Sequence, residues 1–324
     1  MTAIDVPLPV FEDVVAAAGR IADCVRHTPV LHSEELDERY GGRLLFKCEN
    51  LQRVGAFKFR GAVNAVRVLA QEHCTSGVAT HSSGNHGAAL ALAAKLSGIP
   101  ATVVMPENSA APKKAAVARF GAEILYCRPG RIARERALEQ VVARTGAAIV
   151  HPYNDDRVIA GQGTAALELF AAYPEIDAVL VPVGGGGLLS GTALAARGQG
   201  RAIEVVGVEP AQADDAWQSF TSGELVQLDA PDTIADGLRA SLGDRTFALV
   251  RQYVDRIVRV TEADIIAAMR LLYAELRIVV EPSSAVPMAA IMQGAVELRD
   301  RTVAMILTGG NVDLDRLPWQ EDAS

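Results

Sequence analysis

One lysine of this sequence lies in a setting that could make its amino group a nucleophile. Lys58 stands between two phenylalanines in the segment Gly55 to Gly61, with Arg60 close by. An apolar flank and a neighbouring cation both lower the pKa of an ammonium group, as an attacking lysine requires. A surface lysine whose stem covers apolar neighbours is the alternative. The other lysines have simpler explanations: a strand edge for Lys47, and a helix face or a helix start for the rest.

Four consecutive glycines, Gly184 to Gly187, follow a predicted strand and precede a predicted helix. Backbone N–H groups without side chains can converge on an anion, and the helix N-terminus adds partial positive charge. A tight turn needs fewer glycines, so the pattern favours a phosphate-binding loop. The pattern is neither the dinucleotide fingerprint G-x-G-x-x-G nor a loop that ends in G-K-[ST]. A dinucleotide-dependent oxidoreductase is therefore disfavoured.

Two further turns carry polar groups. The segment Ser82 to Gly87 gathers hydroxyls, an amide and backbone N–H groups at a predicted helix start, which suits a carboxylate. A capped turn is the alternative, and His86 taken alone would be a structural histidine. Thr308 to Asn311 follows the last predicted strand, at the edge where α/β proteins bind ligands.

The elements that must position these residues alternate along the chain. Leu44 to Cys48, Ala178 to Val183 and Val303 to Leu307 are predicted strands. Gly61 to Glu72 and Thr261 to Glu275 are predicted helices, the second with a threonine cap. Short apolar strands separated by helices predict an α/β fold with parallel sheets covered by helices on both faces. The least regular stretch is 211–243.

Composition limits the class of protein. The 324 residues carry a formal net charge of -8, and no basic run is present, which argues against a nucleic-acid or anionic-membrane partner. The N-terminus lacks the pattern of a signal peptide, and no apolar stretch approaches the ~18 residues of a membrane span. The four cysteines form no C-x-x-C pair and fit no zinc spacing, and they are Cys24, Cys48, Cys74 and Cys127. We therefore expect a cytoplasmic protein with reduced thiols.

Together these segments resemble the serine racemase and serine/threonine dehydratase group of fold-type II pyridoxal 5′-phosphate (PLP) enzymes. The matching segments run in the family's order over nearly the whole chain. They are His27 to Val30, Lys47 to Gln52, Gly55 to Ala62, Ser82 to Gly87, His151-Pro152, Ala160 to Thr164, Gly184 to Gly187, Glu209-Pro210, Ile234 to Gly237, Glu281-Pro282 and Thr308 to Asp313.

The resemblance implies a two-lobed fold like that of the tryptophan synthase β subunit. Residues 1–76 and 153–324 would form the large PLP-binding domain, and residues 77–152 a small mobile domain that closes over the substrate. A homodimer is the family expectation. The chain ends soon after Asp313, so we expect no C-terminal regulatory domain. The implied reaction converts L-serine, L-threonine or a related 3-hydroxy amino acid to a 2-oxo acid and ammonia.

The resemblance also implies roles for individual residues. Lys58 would form the Schiff base with the cofactor and act as a base, with Phe57 packed on the pyridine ring. The remaining cofactor contacts would be Asn85 at the 3′-oxygen, Gly184, Gly185, Gly186, Gly187 and Leu188 at the phosphate, Thr308 at the pyridine nitrogen, and Glu281. The substrate contacts would be Ser82, Ser83, Asn85, His86, Arg134 and Ser241. The alignment is looser at Arg134, where a solvated helix arginine is favoured over a substrate contact.

Ser83 leaves the reaction open. A serine here resembles the second acid/base of racemising members, on the face opposite Lys58, and two bases on opposite faces could invert Cα. Some serine-containing relatives, including hydroxyaspartate dehydratases, mainly eliminate water. Serine racemisation with side elimination, and 3-hydroxyaspartate dehydration, therefore stand as alternatives.

A divalent-cation site is also implied by the resemblance. Glu209, the carbonyl of Ala213, and Asp215 match the family's metal ligands, and oxygen ligands suit Mg²⁺ or Ca²⁺ rather than zinc. A surface acidic loop is the alternative.

Overall fold

The computed structural model describes residues 7–72, 76–82, 84–109 and 111–320. The sequence predictions for Ser83, for Cys74 and for the segment Met1 to Asp5 lie outside these residues. The described cysteines, Cys24, Cys48 and Cys127, are buried free thiols. Among the described helices, none is long and apolar enough to cross a membrane.

The described residues form two sheets. The strands are β1 (Val30–Leu31), β2 (Arg43–Cys48), β3 (Val78–His81), β4 (Ala101–Pro106), β5 (Glu123–Cys127), β6 (Ala148–Ile149), β7 (Ala178–Pro182), β8 (Glu204–Pro210), β9 (Arg256–Val260) and β10 (Thr302–Leu307). One sheet has six strands in the order β1-β2-β10-β7-β8-β9, and the other has four in the order β5-β4-β3-β6.

Helices connect and cover these strands. They are α1 (Phe11–Ile21), α2 (Glu34–Tyr40), α3 (Lys58–Gln71), α4 (Asn85–Ser97), α5 (Ala111–Ala118), α6 (Arg131–Thr145), α7 (Asp156–Ala172), α8 (Gly187–Arg197), α9 (Asp215–Ser222), α10 (Asp244–Tyr253), α11 (Glu262–Leu276) and α12 (Pro282–Met292). Single 3₁₀ turns lie at Glu49–Leu51, Arg53–Gly55, Ala211–Ala213 and Asp236–Leu238.

The six-stranded sheet is covered by helices on both faces. Alternate residues of each strand point to opposite faces, so each strand contributes to both cores. In β10, Val303 and Met305 join a core with residues of α11 and α12, whereas Ala304 and Ile306 join a core with residues of α7 and α8. All its pairs are parallel except β1 with β2. The predicted α/β fold with parallel sheets covered by helices is confirmed.

The four-stranded sheet is entirely parallel. On one side Val78 packs in a core with α3 and α4, and on the other Ala79 packs with Val104 and α6. Its strands come from residues 78–149, between α3 and α7. The two sheets therefore have separate cores, and α3 leads from one to the other.

Close glycine contacts fix the helices that begin at the candidate site. A Cβ atom at Gly161 of α7 would lie 2.6 Å from the Cα of Gly61 in α3. One at Gly163 of α7 would lie 2.6 Å from the carbonyl oxygen of Gly191 in α8. Helix α7 thus packs backbone to backbone against α3, which begins at Lys58, and against α8, which follows the glycine loop.

Some predicted boundaries differ from the observed ones. Helix α3 begins three residues before the predicted Gly61, so Lys58 lies in its first turn. The stretch predicted as least regular contains α9, a helix of 8 residues. Thr261 caps α11 as expected, with its side chain accepting the N–H of Asp264.

Candidate active site

Lys58 is the first residue of α3 and directly follows Phe57. Its amino group donates a hydrogen bond to the carbonyl oxygen of Pro152 (3.0 Å) and lies 5.0 Å from the centre of the Phe57 ring. Burial lowers the pKa of Lys58 to about 8, and the carboxylate of Glu281 opposes that shift. An appreciable fraction of the amine is therefore neutral near neutral pH, as a nucleophile or base requires.

The cation Arg60 does not cause this shift, contrary to the expectation from sequence. Its buried guanidinium bonds to Glu49 (Nε to Oε2, 2.8 Å) and to Glu168 (Nη1 to Oε1, 2.7 Å). Lys47, expected at a strand edge, is also buried and pairs with Glu168 at 2.6 Å. Two cations and two carboxylates thus compensate one another, and this cluster ties the first turn of α3 to β2 and α7.

The glycine loop, Gly184 to Gly187, has no room for side chains. A Cβ atom at Gly185 would overlap the ring of Tyr153, and one at Gly186 would lie 2.5 Å from Cδ2 of Leu242. Gly186 also has a φ of 82°, in the left-handed region that favours glycine. The backbone at the start of α8 is therefore not screened by side chains of the loop, as an anion site requires.

Tyr153 connects this loop to the lysine. Its ring packs against Gly185 and meets the ring of His151 edge-on, with 4.6 Å between centres. Pro152, which lies between the two rings in sequence, accepts the hydrogen bond of Lys58. Burial lowers the pKa of His151 to about 4, so its ring is uncharged near neutral pH. The segment His151 to Tyr153 therefore contacts both the lysine and the glycine loop.

Thr308 follows β10 and lies beside the lysine segment. Its carbonyl oxygen accepts the backbone N–H of Phe57 (2.9 Å), and its buried hydroxyl lies 3.1 Å from that of Ser284. Ser284 also contacts the backbone of Gly309 through two hydrogen bonds of 2.7 Å each. The hydroxyl expected at the pyridine nitrogen is thus neutral and fixed by a second neutral hydroxyl.

Asn85, the first residue of α4, makes hydrogen bonds between the segment that follows β3 of one sheet and residues near the end of β10 of the other. Its Nδ2 donates to both oxygens of Glu281 (3.0 and 3.2 Å), and its Oδ1 accepts from Nδ2 of Asn311 (2.9 Å). Glu281 is buried, and burial together with the charge of Asp236 raises its pKa to about 7. These contacts connect the start of α4 to the residues that follow β10 and precede α12.

The turn between β3 and α4 is the predicted carboxylate site, although Ser83 lies outside the described residues. The hydroxyl of Ser82 accepts the N–H of Gly84 (3.3 Å). His86 is buried, with Nε2 at 3.3 Å from the carbonyl oxygen of Val150. Burial and the charge of Lys58 keep the pKa of His86 well below its usual range. A neutral ring that donates through Nε2 has only a lone pair on Nδ1, so a carboxylate would meet the backbone N–H instead.

Arg134 of α6 lies near this turn. Its charge, after burial, contributes to lowering the pKa of His81 to about 4, and His81 immediately precedes Ser82. Its Nε has no hydrogen-bond partner among the described residues. Arg134 is half-buried. Ser241, also predicted as a contact, is buried and accepts the N–H of Leu228 (3.1 Å).

The predicted metal ligands lie in a separate cluster. Glu209, near the end of β8, and Asp215, the first residue of α9, are buried. Glu209 accepts the N–H groups of Ala216 (3.1 Å) and Trp217 (2.9 Å), whereas neither oxygen of Asp215 has a partner at normal hydrogen-bond geometry among the described residues. Ala213, the third predicted ligand, is buried in the 3₁₀ turn between them.

Two buried carboxylates lie close together in this cluster, an arrangement that suits a cation. Burial raises the pKa of Glu209 well above its usual range, with the charge of Asp215 the next cause. Burial also raises the pKa of Asp215 to about 6, although the Ser241 hydroxyl is close enough to lower it. Within the described ranges, no group of three His, Cys, Asp or Glu side chains could bind a metal. A cation here would need backbone carbonyls or water beside two carboxylates.

Several residues of the candidate site carry no recognisable signal in the sequence. Ser284 follows the Glu281-Pro282 pair by two positions, and only its contact with Thr308 gives it a role. Pro152 contributes a backbone oxygen, which no side-chain pattern reveals. Tyr153 enters the site through the packing of its ring on the glycine loop, which the sequence does not indicate.

The chain is similar to known proteins over nearly its whole length. A sequence profile described as "Pyridoxal-phosphate dependent enzyme" matches residues 21–309. A beta-hydroxyaspartate dehydratase of Paracoccus denitrificans is 49% identical over 96% of this chain and 99% of that protein. A serine racemase of Arabidopsis thaliana is 48% identical over 93% of this chain and 92% of that protein.

Solved structures agree with the sequence relatives. The structure of maize serine racemase superposes with a TM-score of 0.93 at 43% identity, covering 98% of both chains. The resemblance drawn from sequence, and the fold type it implied, are therefore confirmed.

Proposed function

The chain belongs to the family of pyridoxal-phosphate dependent enzymes, and within it we propose a dehydratase that converts a 3-hydroxy amino acid to a 2-oxo acid and ammonia. The observation that carries the proposal is the position of Lys58. Its amino group, with a lowered pKa, contacts Pro152, and the next residue, Tyr153, covers the glycine loop. A lysine and an anion loop in one site are what a phosphate-bearing aldehyde cofactor requires.

The residues present fit PLP. Lys58 would bind it covalently, Phe57 would pack on its ring, and Thr308 would face its nitrogen. The other contacts would be Asn85, Gly184, Gly185, Gly186, Gly187 and Leu188, and Glu281 would lie beside them, hydrogen-bonded to Asn85. When bound, the cofactor supplies an electron sink that makes the Cα proton of an amino acid acidic. The neutral hydroxyl of Thr308 does not hold a proton on the ring nitrogen as a carboxylate would, and a milder sink suits loss of a β-hydroxyl.

The chain's own residues perform the proton transfers. In its neutral form the free Lys58 amine would remove the proton from Cα and then, as an ammonium group, donate that proton to the departing β-hydroxyl, which leaves as water. Hydrolysis of the released enamine then gives the 2-oxo acid and ammonia. The turn at Ser82 and the backbone N–H of His86 would orient the substrate carboxylate, and the neutral His151 ring adds no positive charge beside Lys58.

We place 3-hydroxyaspartate foremost among the substrates. Its second carboxylate needs a cation, and Arg134 lies half-buried beside the turn that would bind the first carboxylate. Serine and threonine carry no such group. The dehydratase of Paracoccus denitrificans, which resembles the chain over nearly its full length, bears that substrate in its name.

Serine racemisation is the second candidate, because Ser83 could act from the face opposite Lys58. Ser83→Ala is expected to lower formation of D-serine from L-serine by about a hundredfold or more, while formation of pyruvate persists. Chiral chromatography of both products in one incubation is the measurement. Ser82→Ala is the matched control, since loss of a carboxylate contact should weaken both reactions. Equal loss of both activities in Ser83→Ala would show that Ser83 only binds the carboxylate.

The division into lobes is also part of the proposal. Residues 77–152 would form the small mobile domain and residues 1–76 and 153–324 the large one. The contacts of Asn85 with Glu281 and Asn311 would then form when the small domain closes. The homodimer and the cytoplasmic location stay predictions.

The carboxylate pair Glu209 and Asp215 would bind Mg²⁺ or Ca²⁺, with the carbonyl of Ala213. At about 100 times its dissociation constant the cation would add about 2.7 kcal/mol of stability, and the melting temperature should rise by several degrees. Asp215→Asn is expected to remove this response. Asp214→Asn, whose carboxylate pairs with Arg259 at 2.7 Å, should keep it. Identical melting curves of the unaltered protein in Mg²⁺ and in EDTA would refute the metal site.

A further inference from the structure

Glu281 is a buried carboxylate that precedes α12, and its side chain does not cap that helix. It is the N-cap of α12 but makes no side-chain capping bond. Its oxygens instead accept Nδ2 of Asn85 and the backbone N–H of Asn311 (3.3 Å). An acidic residue at an N-cap gains stability by capping, so this arrangement indicates another use.

The backbone of Gly309 lies against the carboxylate of Glu281, where a side chain would not fit. A Cβ atom at Gly309 would lie 2.6 Å from Oε1 of Glu281. The N–H of Glu281 also donates to the carbonyl oxygen of Gly309 (3.0 Å). Glu281 is therefore fixed at both its backbone and its side chain against the residues that follow β10.

The amide of Asn85 is oriented from two sides. Its Oδ1 accepts from Nδ2 of Asn311, which also donates to the carbonyl oxygen of Val54 (2.8 Å). Its Nδ2 faces Glu281, an acceptor, and this pair of partners permits only one orientation of the amide. Nδ2 lies within 3.0 and 3.2 Å of the two oxygens of one carboxylate, which a single N–H can serve, so the second N–H would be left for another acceptor.

We infer that Glu281 is a positioning residue that orients the Asn85 amide so that its second N–H meets the 3′-oxygen of the cofactor. The inference rests on the proposed function, which makes Asn85 a cofactor contact. Glu281 would act through Asn85, and the two residues would form one unit. The charged groups that act on Glu281 are Lys58, Asp236 and Lys113, and Lys113 itself pairs with Asp236.

The test is a double-mutant cycle on the full-length holoenzyme. Cofactor dissociation constants and visible absorption spectra are measured for the unaltered protein and for Asn85→Ala, Glu281→Ala and the double variant. Each single variant is expected to bind PLP about tenfold more weakly and to shift the absorption band in the same direction. The double variant should bind within about twofold of Asn85→Ala, because coupled residues are not additive. Glu281→Gln, which keeps one acceptor oxygen, should recover part of the affinity and of the spectrum.

Glu204→Gln is the control for general loss of a carboxylate. Glu204 pairs with Arg256 and Arg301 at the start of β8, whereas Glu281 lies beside the residues that follow the carboxyl end of β10. The Glu204→Gln variant should therefore keep the cofactor spectrum. Effects of Asn85→Ala and Glu281→Ala that multiply, or a Glu281→Ala protein that binds PLP normally, would overturn the inference alone. Normal binding by Asn85→Ala would overturn the proposed role of Asn85 and the inference with it.

Discussion

Lys58→Ala is expected to lower dehydration of hydroxy amino acids by at least about a thousandfold. The alanine can neither bind the cofactor covalently nor remove the Cα proton. Within the site, the neighbouring His86 and His151 rings have pKa values below their usual range and are weak bases. The measurement combines turnover with mass spectrometry of borohydride-reduced holoenzyme, in which the cofactor mass should map to Lys58 only in the unaltered protein.

Lys95→Ala is the matched control for this substitution. Lys95 is exposed on α4, so removal of its charge should leave turnover and cofactor attachment unchanged. Turnover by Lys58→Ala close to that of Lys95→Ala, or cofactor mass on another lysine of the unaltered protein, would contradict the assignment.

Gly186→Ala is expected to weaken PLP binding by at least about tenfold. The new methyl group would lie 2.5 Å from Cδ2 of Leu242 and 3.0 Å from Cβ of Thr246, and both residues are buried. Because neither neighbour can move into solvent, the loop itself must shift and its N–H groups must leave their positions. Titration of the apo protein with PLP, followed by its visible absorption, measures the effect.

Gly200→Ala separates this crowding from backbone strain. Gly200 has a φ of 67°, and a Cβ atom there would meet nothing within 4 Å. Its replacement should reduce stability by about 1 kcal/mol through the left-handed conformation alone and leave PLP binding intact. Equal cofactor affinity in the two variants would argue against a phosphate loop at Gly186.

The parts of the site that depend on local pattern could be predicted from sequence. Gly184 to Gly187 follow an apolar strand and start a helix, and the structure shows a crowded loop there. Lys58 could be singled out by its aromatic neighbours. The period-two burial of β10 and the cap of α11 likewise follow from rules that span a few residues.

The parts that depend on distant contacts could not be predicted. Arg60 was expected to lower the pKa of Lys58, but its charge is compensated by Glu168, which lies 108 residues away in sequence. The orientation of Asn85 depends on Asn311, 226 residues away. Such pairs come together only in the folded chain, and no spacing in the sequence encodes them.

Elimination of water from a 3-hydroxy amino acid is the proposed reaction, and two parallel incubations test it. PLP-loaded protein is given 3-hydroxyaspartate and, separately, L-serine, and 2-oxo acid, ammonia and D-amino acid are measured together. We predict oxaloacetate and ammonia in equal amounts from 3-hydroxyaspartate, with faster turnover than that of L-serine to pyruvate. D-serine as the main product, or no 2-oxo acid from either substrate, would contradict the proposed function.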